Sequence, residues 1–241
     1  MIDLHCHVLP ALDDGALDLA DSLRMLSTAE RDGIEVVCAT PHIRDDHDVR
    51  IEELPARVAA LQDELDRRSI SVRVARGGEV AQPDVEELSD EHLNAVSLDG
   101  GGWILLEPGS GAIAADLPDS CDRLIERGFR VILAHPERHA GAGFEARLRE
   151  LASRGVLLQW TAAFIEQCDP GDESALVPRL AREGLIHLIA SDAHSSHGGR
   201  PLRLSGAVAR LREICSAEQL TWIVERAPRA ILSGADAPAR W

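Results

Sequence analysis

The chain has 241 residues and a net charge of −16, long enough for one large α/β domain (residues 1–241) without division. The acidity, with no Lys/Arg stripe and no aromatic platform, argues against nucleic acid as a partner. No apolar run reaches the roughly 18 residues of a membrane helix, and no basic segment precedes an apolar one at the N-terminus, which points to the cytoplasm and against a membrane span. Five cysteines, odd in number and never closely paired, argue against a disulfide framework or a structural zinc knuckle and read as buried thiols.

In chain order the first apolar run, MIDLH (1–5), predicts a strand. Its extension, LHCHVLP, places His5 and His7 on one face and Cys6 on the other. Two neutral imidazoles converging on one point suit a divalent ion. Taken alone, polar residues at an exposed strand end remain the simpler reading. Further strands are expected at EVVCAT (35–40), SVRVARGGE (71–79), WILLE (103–107), RVILAH (130–135), VLLQWT (156–161) and IHLIASD (186–192). Between them run amphipathic helical patterns, several closing on Gly: LADSLRMLSTAERDG, IEELPARVAALQDELDRR, SCDRLIERG, FEARLRELASRG and ALVPRLAREG. SGAVARLREI and AEQLTWIVERA add two helices without evident chemistry. The regular alternation predicts a (β/α) barrel of about seven strands in preference to an open doubly wound sheet.

In such barrels the site gathers at the carboxyl ends of the strands. There the sequence places His5 and His7, then His42 of TPH, Glu79, Glu107, His135, and Asp192 with His194. Only the end after VLLQWT offers nothing ionisable. A mixed imidazole and carboxylate set without thiolate suits Zn2+, Mn2+ or Fe2+. The donors exceed the needs of one ion, so a multinuclear hydrolase is expected. Cys-x5-Arg, as in CATPHIR (Cys38, Arg44), is set aside: Cys121 to Arg127 matches as well, and Pro41 removes a backbone N–H that a thiolate phosphate cradle needs.

The motifs HCHVLPALDDG, ATPH (39–42), GGE (77–79), LLE (105–107), AHPER (134–138) and ASDAH (190–194) closely resemble the polymerase and histidinol phosphatase (PHP) superfamily. They are most similar to its bacterial metal-dependent protein tyrosine phosphatases of capsule and exopolysaccharide loci. The resemblance implies a distorted (β/α)7 barrel and three divalent ions, Mn2+, Fe2+ or Zn2+. One ion would be held by His5, His7, Glu79 and Asp192, and a second by Glu79, Glu107 and His135. The third would lie with Asp14, His42 and His194, with Asp13 as rival to Asp14. Arg138 and Arg200 would bind phosphate, with neighbouring acids such as Glu137 as their alternative partners. The implied reaction is phosphomonoester hydrolysis by a metal-bound hydroxide at this trinuclear site, on phosphotyrosine in proteins. The alternatives are a phosphatase for small metabolites such as histidinol phosphate or nucleotides, and a non-catalytic metal-binding regulator.

Departures from the family pattern are Cys6 in place of Ser, His139 in place of Tyr, the absence of tyrosine, and a small, Gly-rich run at 107–118. Of the remaining histidines, His187 reads as a satisfied core residue, His47 and His92 as surface residues, and His139 and His197 as loop residues overhanging the site.

Overall fold

Each apolar run becomes a strand, and each amphipathic stretch packs its apolar face outside the strands. The computed structural model describes residues 1–109, 116–198 and 200–239. The strands are β1 (Ile2–Cys6), β2 (Val36–Ala39), β3 (His42–Ile43), β4 (Arg73–Arg76), β5 (Glu79–Ala81), β6 (Trp103–Glu107), β7 (Arg130–Leu133), β8 (Leu157–Thr161) and β9 (Leu188–Ala190). The helices are α1 (Leu19–Arg31), α2 (Leu54–Arg67), α3 (Asp90–Val96), α4 (Leu117–Glu126), α5 (Phe144–Ser153), α6 (Ala162–Glu166), α7 (Leu176–Arg182), α8 (Ser205–Ile214), α9 (Ala217–Thr221) and α10 (Ala227–Leu232).

All strand pairs are parallel, as the alternation predicts. They form two ladders, β1-β2-β4 and β3-β5-β6-β7-β8-β9. The strand expected at 71–79 is interrupted, and the one expected at 35–40 is followed by a further short strand. Thr40-Pro41 separates β2 from β3, and Gly77-Gly78 separates β4 from β5. A Cβ on Gly77 would lie 2.7 Å from Leu98 Cδ2, and one on Gly78 2.7 Å from Ile43 Cγ1, so the chain bends here where only glycine fits. Seven strand positions result from nine strands. The ladder does not close continuously: β1 meets the far edge only at its carboxyl end, where Asp192 N–H donates to His5 O (2.9 Å) and His7 N–H to Ala193 O (2.9 Å). This is the distortion in the expected barrel, and it presses the two ends of the ring together at the rim that carries the histidines.

The helices turn back onto the sheet through residues that the chain dictates. Gly128 (φ 88°) and Gly155 (φ 89°) end α4 and α5 in the left-handed region that glycine occupies without strain. Asp18 caps α1, accepting from Asp21 N–H at 2.8 Å. The helix expected over AEQLTWIVERA starts with a capping box of Ser216 and Gln219, then loosens into one π turn (Trp222–Arg226) before α10. Pro228 explains the widening: it has no N–H to continue the α pattern. Buried Ile, Leu, Val and Trp side chains from Ile2 to Leu232 form one apolar cluster between strands and helices. Its largest members are Trp160 and Trp222, whose indole N–H groups donate to Leu185 O and Pro238 O, each at 3.0 Å. Among the described residues no helix is long and apolar enough to cross a membrane.

Candidate metal centre

The carboxyl end of β1 starts the site. Asp3, His5 and His7 share one face, all fully buried. Cys6, on the other face, donates its N–H to Thr40 Oγ1 (3.0 Å) and ties β1 to the end of β2. His5 Nε2 and His7 Nε2 lie 3.2 Å apart, and both lie 3.2 Å from Glu79 Oε2 at the start of β5. Register then delivers the other donors, because His42 pairs with Glu79 and Ala81 with Glu107 in the parallel ladder. His42 Nδ1 is 3.1 Å from Glu79 Oε2 and 3.7 Å from Glu107 Oε2. Across the ring, His135 Nε2 lies 2.7 Å from Glu79 Oε1, and Asp192 Oδ1 lies 3.3 Å from His5 Nε2. His135 (φ 28°) and Asp192 (φ 50°) both hold left-handed backbone, an unfavourable conformation for non-glycine residues that turns each side chain inward just past its strand.

All nine sequence-predicted donors therefore meet at one rim, in four overlapping groups: His5, His7 and Glu79; His5, His135 and Asp192; His42, Glu79 and Glu107; and His7, Asp14, His42 and His194. Donor atoms within each group lie within 4.8 Å of one another. Asp14, not Asp13, faces His42 Nε2 (3.3 Å) and His194 Nε2 (3.5 Å). Asp13 turns away, and its Oδ2 accepts from His7 Nδ1–H at 2.8 Å. The turn packs closely on β1 at Gly15, where a Cβ would sit 2.2 Å from His7 O and 2.5 Å from His7 Cβ.

Divalent cations fit these residues. Glu79 Oε2, Asp192 Oδ1, His42 Nδ1 and His135 Nδ1 are buried without a hydrogen-bond partner, a cost that native interiors rarely bear unless another ligand satisfies the atoms. Electrostatics agree. Burial disfavours the Glu79 carboxylate, yet the His5 charge, the hydrogen bond from His135 and the closeness of the His42 ring hold it well below the usual range. Burial likewise lowers the His7 imidazole, but bonds to Asp13 and Glu79 outweigh it and hold the ring up at about 9. Burial pushes His135 down to about 4 and His194 to about 3, the latter also under the charge of His7. Burial and the Glu79 charge raise Glu107. His135 and His194 are thus held neutral beside a charged Glu79, as coordination requires, while His7 must give up a proton to bind a cation.

Two arginines close over the centre. Arg138, in the 3-10 turn Pro136–His139 after β7, and Arg200 both pair with Oδ2 of the Asp192 carboxylate, and their side chains are 35% and 32% exposed. Glu137, the expected alternative partner, is turned away and accepts from Thr161 N–H at 3.1 Å. A reacting group above Asp192 would meet both guanidinium forks.

The capsular polysaccharide synthesis family CpsB/CapC matches residues 1–233. The chain belongs to that family. It is 34% identical over 200 residues to the tyrosine-protein phosphatase YwqE of Bacillus subtilis (strain 168), covering 81% of this chain and 78% of the relative. It is 26% identical over 199 residues to the putative tyrosine-protein phosphatase CapC of Staphylococcus aureus, covering 81% and 77%. A solved structure described as one of YwqE from Bacillus subtilis and CpsB from Streptococcus pneumoniae, "unique metal-dependent tyrosine phosphatases", superimposes over 100% of both chains with TM-score 0.81 and 27% identity.

In this CpsB/CapC chain several residues near the centre lie where the sequence did not place them. β8 carries no ionisable residue at its end, yet Gln159 Oε1 accepts from His5 Nδ1–H at 2.9 Å. Arg44 Nη1 reaches Glu107 Oε2 (3.4 Å) while Asp46 holds its other face at 2.6 and 2.9 Å. His47, expected at the surface, instead stacks on His42 with ring centroids 5.1 Å apart. His139 is buried, its ring 6.3 Å from that of His135, and does not overhang the site openly. His187 is the core residue expected, its Nδ1 accepting from Leu158 N–H at 2.8 Å. His92 is exposed, and His197 is 67% exposed in its loop, 4.0 Å from Asp21. Of the five thiols expected to be buried, Cys6, Cys38 and Cys121 are, while Cys168 and Cys215 are only partly covered; burial pushes the Cys38 thiol far above its usual value, and its Sγ donates to Arg76 O at 3.3 Å. Residues 110–115 of the Gly-rich run lie outside the described residues.

Proposed function

We propose that this chain is a metal-dependent phosphatase that hydrolyses phosphotyrosine in proteins, with three divalent ions (Mn2+, Fe2+ or Zn2+) held by His5, His7, Asp14, His42, Glu79, Glu107, His135, Asp192 and His194. The observation that carries it is the overlap of four donor groups, two of them sharing Glu79, with two guanidiniums on the Asp192 carboxylate. Cations bound there would lower the pKa of bound water and draw charge from a phosphoryl group. The residues of the chain do the remainder. Glu79, charged and buried among four imidazoles, supplies the shared carboxylate of two groups. Arg138 and Arg200 bring planar forks, matched to the oxygens of a phosphate dianion, which an amide substrate would lack. Asp14, with a side chain 58% exposed, leaves one flank open to solvent, as a phosphotyrosine on a protein chain requires. The relatives' names support the same reading.

Residues 1–241 are read as one domain, because a single apolar cluster runs from Ile2 to Leu232, and the cytoplasm is the compartment proposed. A panel of phosphotyrosine peptides set against histidinol phosphate and nucleoside monophosphates tests the substrate. Higher kcat/KM on the peptides is expected; preference for a metabolite would replace the protein substrate with a small one, and hydrolysis of neither would leave a metal-binding regulator.

A further inference from the structure

The two histidines of the first motif are held by chemically different groups. His7 Nδ1–H donates to Asp13 Oδ2 at 2.8 Å. The same Oδ2 accepts from His42 N–H at 3.0 Å, and Oδ1 accepts from Gly15 N–H at 2.9 Å. One buried carboxylate thus joins the end of β1, the DDG turn and the first residue of β3. Three N–H donors converge on its two oxygens, so the Asp13 carboxylate serves here as an acceptor. His5 Nδ1–H donates instead to a neutral amide, Gln159 Oε1 of β8, at 2.9 Å, and Gln159 Nε2 is buried without a hydrogen-bond partner.

We propose that Asp13 and Gln159 are positioning residues that lock His7 and His5 with the proton on Nδ1 and the Nε2 lone pair aimed at a shared divalent cation, Asp13 being the stronger of the two. The inference rests on the metal reading above. An acceptor on Nδ1 fixes which ring nitrogen is free to coordinate and how the ring is turned, a role known to matter for metal affinity. A charge-assisted bond outweighs a neutral one, and Asp13 in addition sets the backbone of His42. Asparagine at 13 keeps the shape but can turn an NH2 toward Nδ1; an imidazole accepting there would carry its own proton on Nε2 and could not coordinate with it.

Zinc alone serves as the probe, with affinity measured by competition against a chromophoric chelator on the full chain, alongside circular dichroism and 15N shifts of the histidine rings. The zinc-loaded wild type is expected to show His5 and His7 coordinated through Nε2 and protonated on Nδ1. Asp13→Asn is expected to weaken zinc binding about ten- to a hundredfold and to abolish the Nδ1–H pattern of His7 but not of His5, with circular dichroism unchanged. Gln159→Leu should do the converse with a smaller loss, and Gln159→Glu should bind at least as tightly as wild type. If Asp13→Asn does not fold, the two Gln159 variants carry the test through His5. Wild-type affinity and ring pattern in Asp13→Asn and Gln159→Leu would overturn the positioning role while leaving the metal reading intact. No zinc uptake by the wild type would overturn both.

Discussion

Arg138→Ala separates phosphoryl chemistry from other metal-assisted hydrolysis. Arg138 lies three residues past His135 and shares Oδ2 of the Asp192 carboxylate with Arg200, with about a third of its side chain open to solvent. That open third is the part of the fork a substrate can reach. A hydrogen bond from a charged donor is worth roughly 1.5–3 kcal/mol. At about 1.4 kcal/mol per factor of ten, its loss lowers kcat/KM about ten- to two-hundredfold. The assay is hydrolysis of p-nitrophenyl phosphate and of a phosphotyrosine peptide, with metal content measured on the same samples. Metal content should stay at the wild-type level, since Arg200 still covers Asp192. Arg138→Lys should recover part of the loss, because it keeps the charge but not the fork. Arg200→Ala should behave alike, and the double variant should fall short of the sum of the single effects, because both arginines share one carboxylate. Full activity in both single variants with metals bound would refute the clamp. Loss of metal together with activity would instead place the effect of Arg138 on Asp192.

Other substitutions read other parts of the account. Cys38→Ser should leave kcat/KM within about twofold of wild type, since the thiol is buried and never a nucleophile; an inactive variant would restore a thiol mechanism. Glu79→Gln should abolish metal loading and activity together, and also cost the metal-free protein stability in urea by roughly 3–5 kcal/mol, the expected loss on breaking a buried ion pair. Gly15→Ala, whose Cβ meets His7 backbone, should destabilise by about 1–3 kcal/mol and reduce metal content; normal metal uptake would show that the DDG turn does not set the site. In metal-stripped protein, His7 is held up at about 9, so its contribution is complete below the unfolded value near 6.5 and is lost as pH rises toward 9. His135 and His194, held down at about 4 and about 3, contribute above about 6.5 and lose that stability as pH falls. The melting temperature of stripped protein should therefore peak near pH 6.5 and drop on both sides, and a profile that only rises with pH would contradict the His7 assignment.

The sequence made the strands legible where apolar runs and flanking charges coincide: WILLE matches β6 residue for residue. It also placed the donors, because strand ends in a βα series point to one rim. What it hid has particular causes. β3 is only two residues long, too short for periodicity, and becomes a strand because register against β5 holds it. The helix α3 (Asp90–Val96) has one and a half apolar turns, marked chiefly by Ser89 as its cap. Gln159 escaped because a neutral amide carries no ionisable signal; its place in an otherwise apolar, buried strand was the available clue. Asp13 and Asp14 are adjacent, and no pattern of spacing tells which turns inward; the hydrogen bonds from His7, Gly15 and His42 that hold Asp13 exist only once the turn is folded. His47 follows His42 by five residues in an irregular loop, so its stacking on His42 depends on loop geometry that composition does not encode.

The central claim is that metal ions at this rim carry the reaction. The direct measurement removes metal with EDTA, exchanges the protein into chelator-free buffer, and follows phosphotyrosine-peptide hydrolysis and bound metal as Mn2+, Fe2+ or Zn2+ is added back in separate titrations. The account predicts that stripped, folded protein is inactive and that activity returns in proportion to metal bound, saturating near three equivalents. Undiminished hydrolysis by stripped protein, or metal uptake without any return of activity, would contradict it.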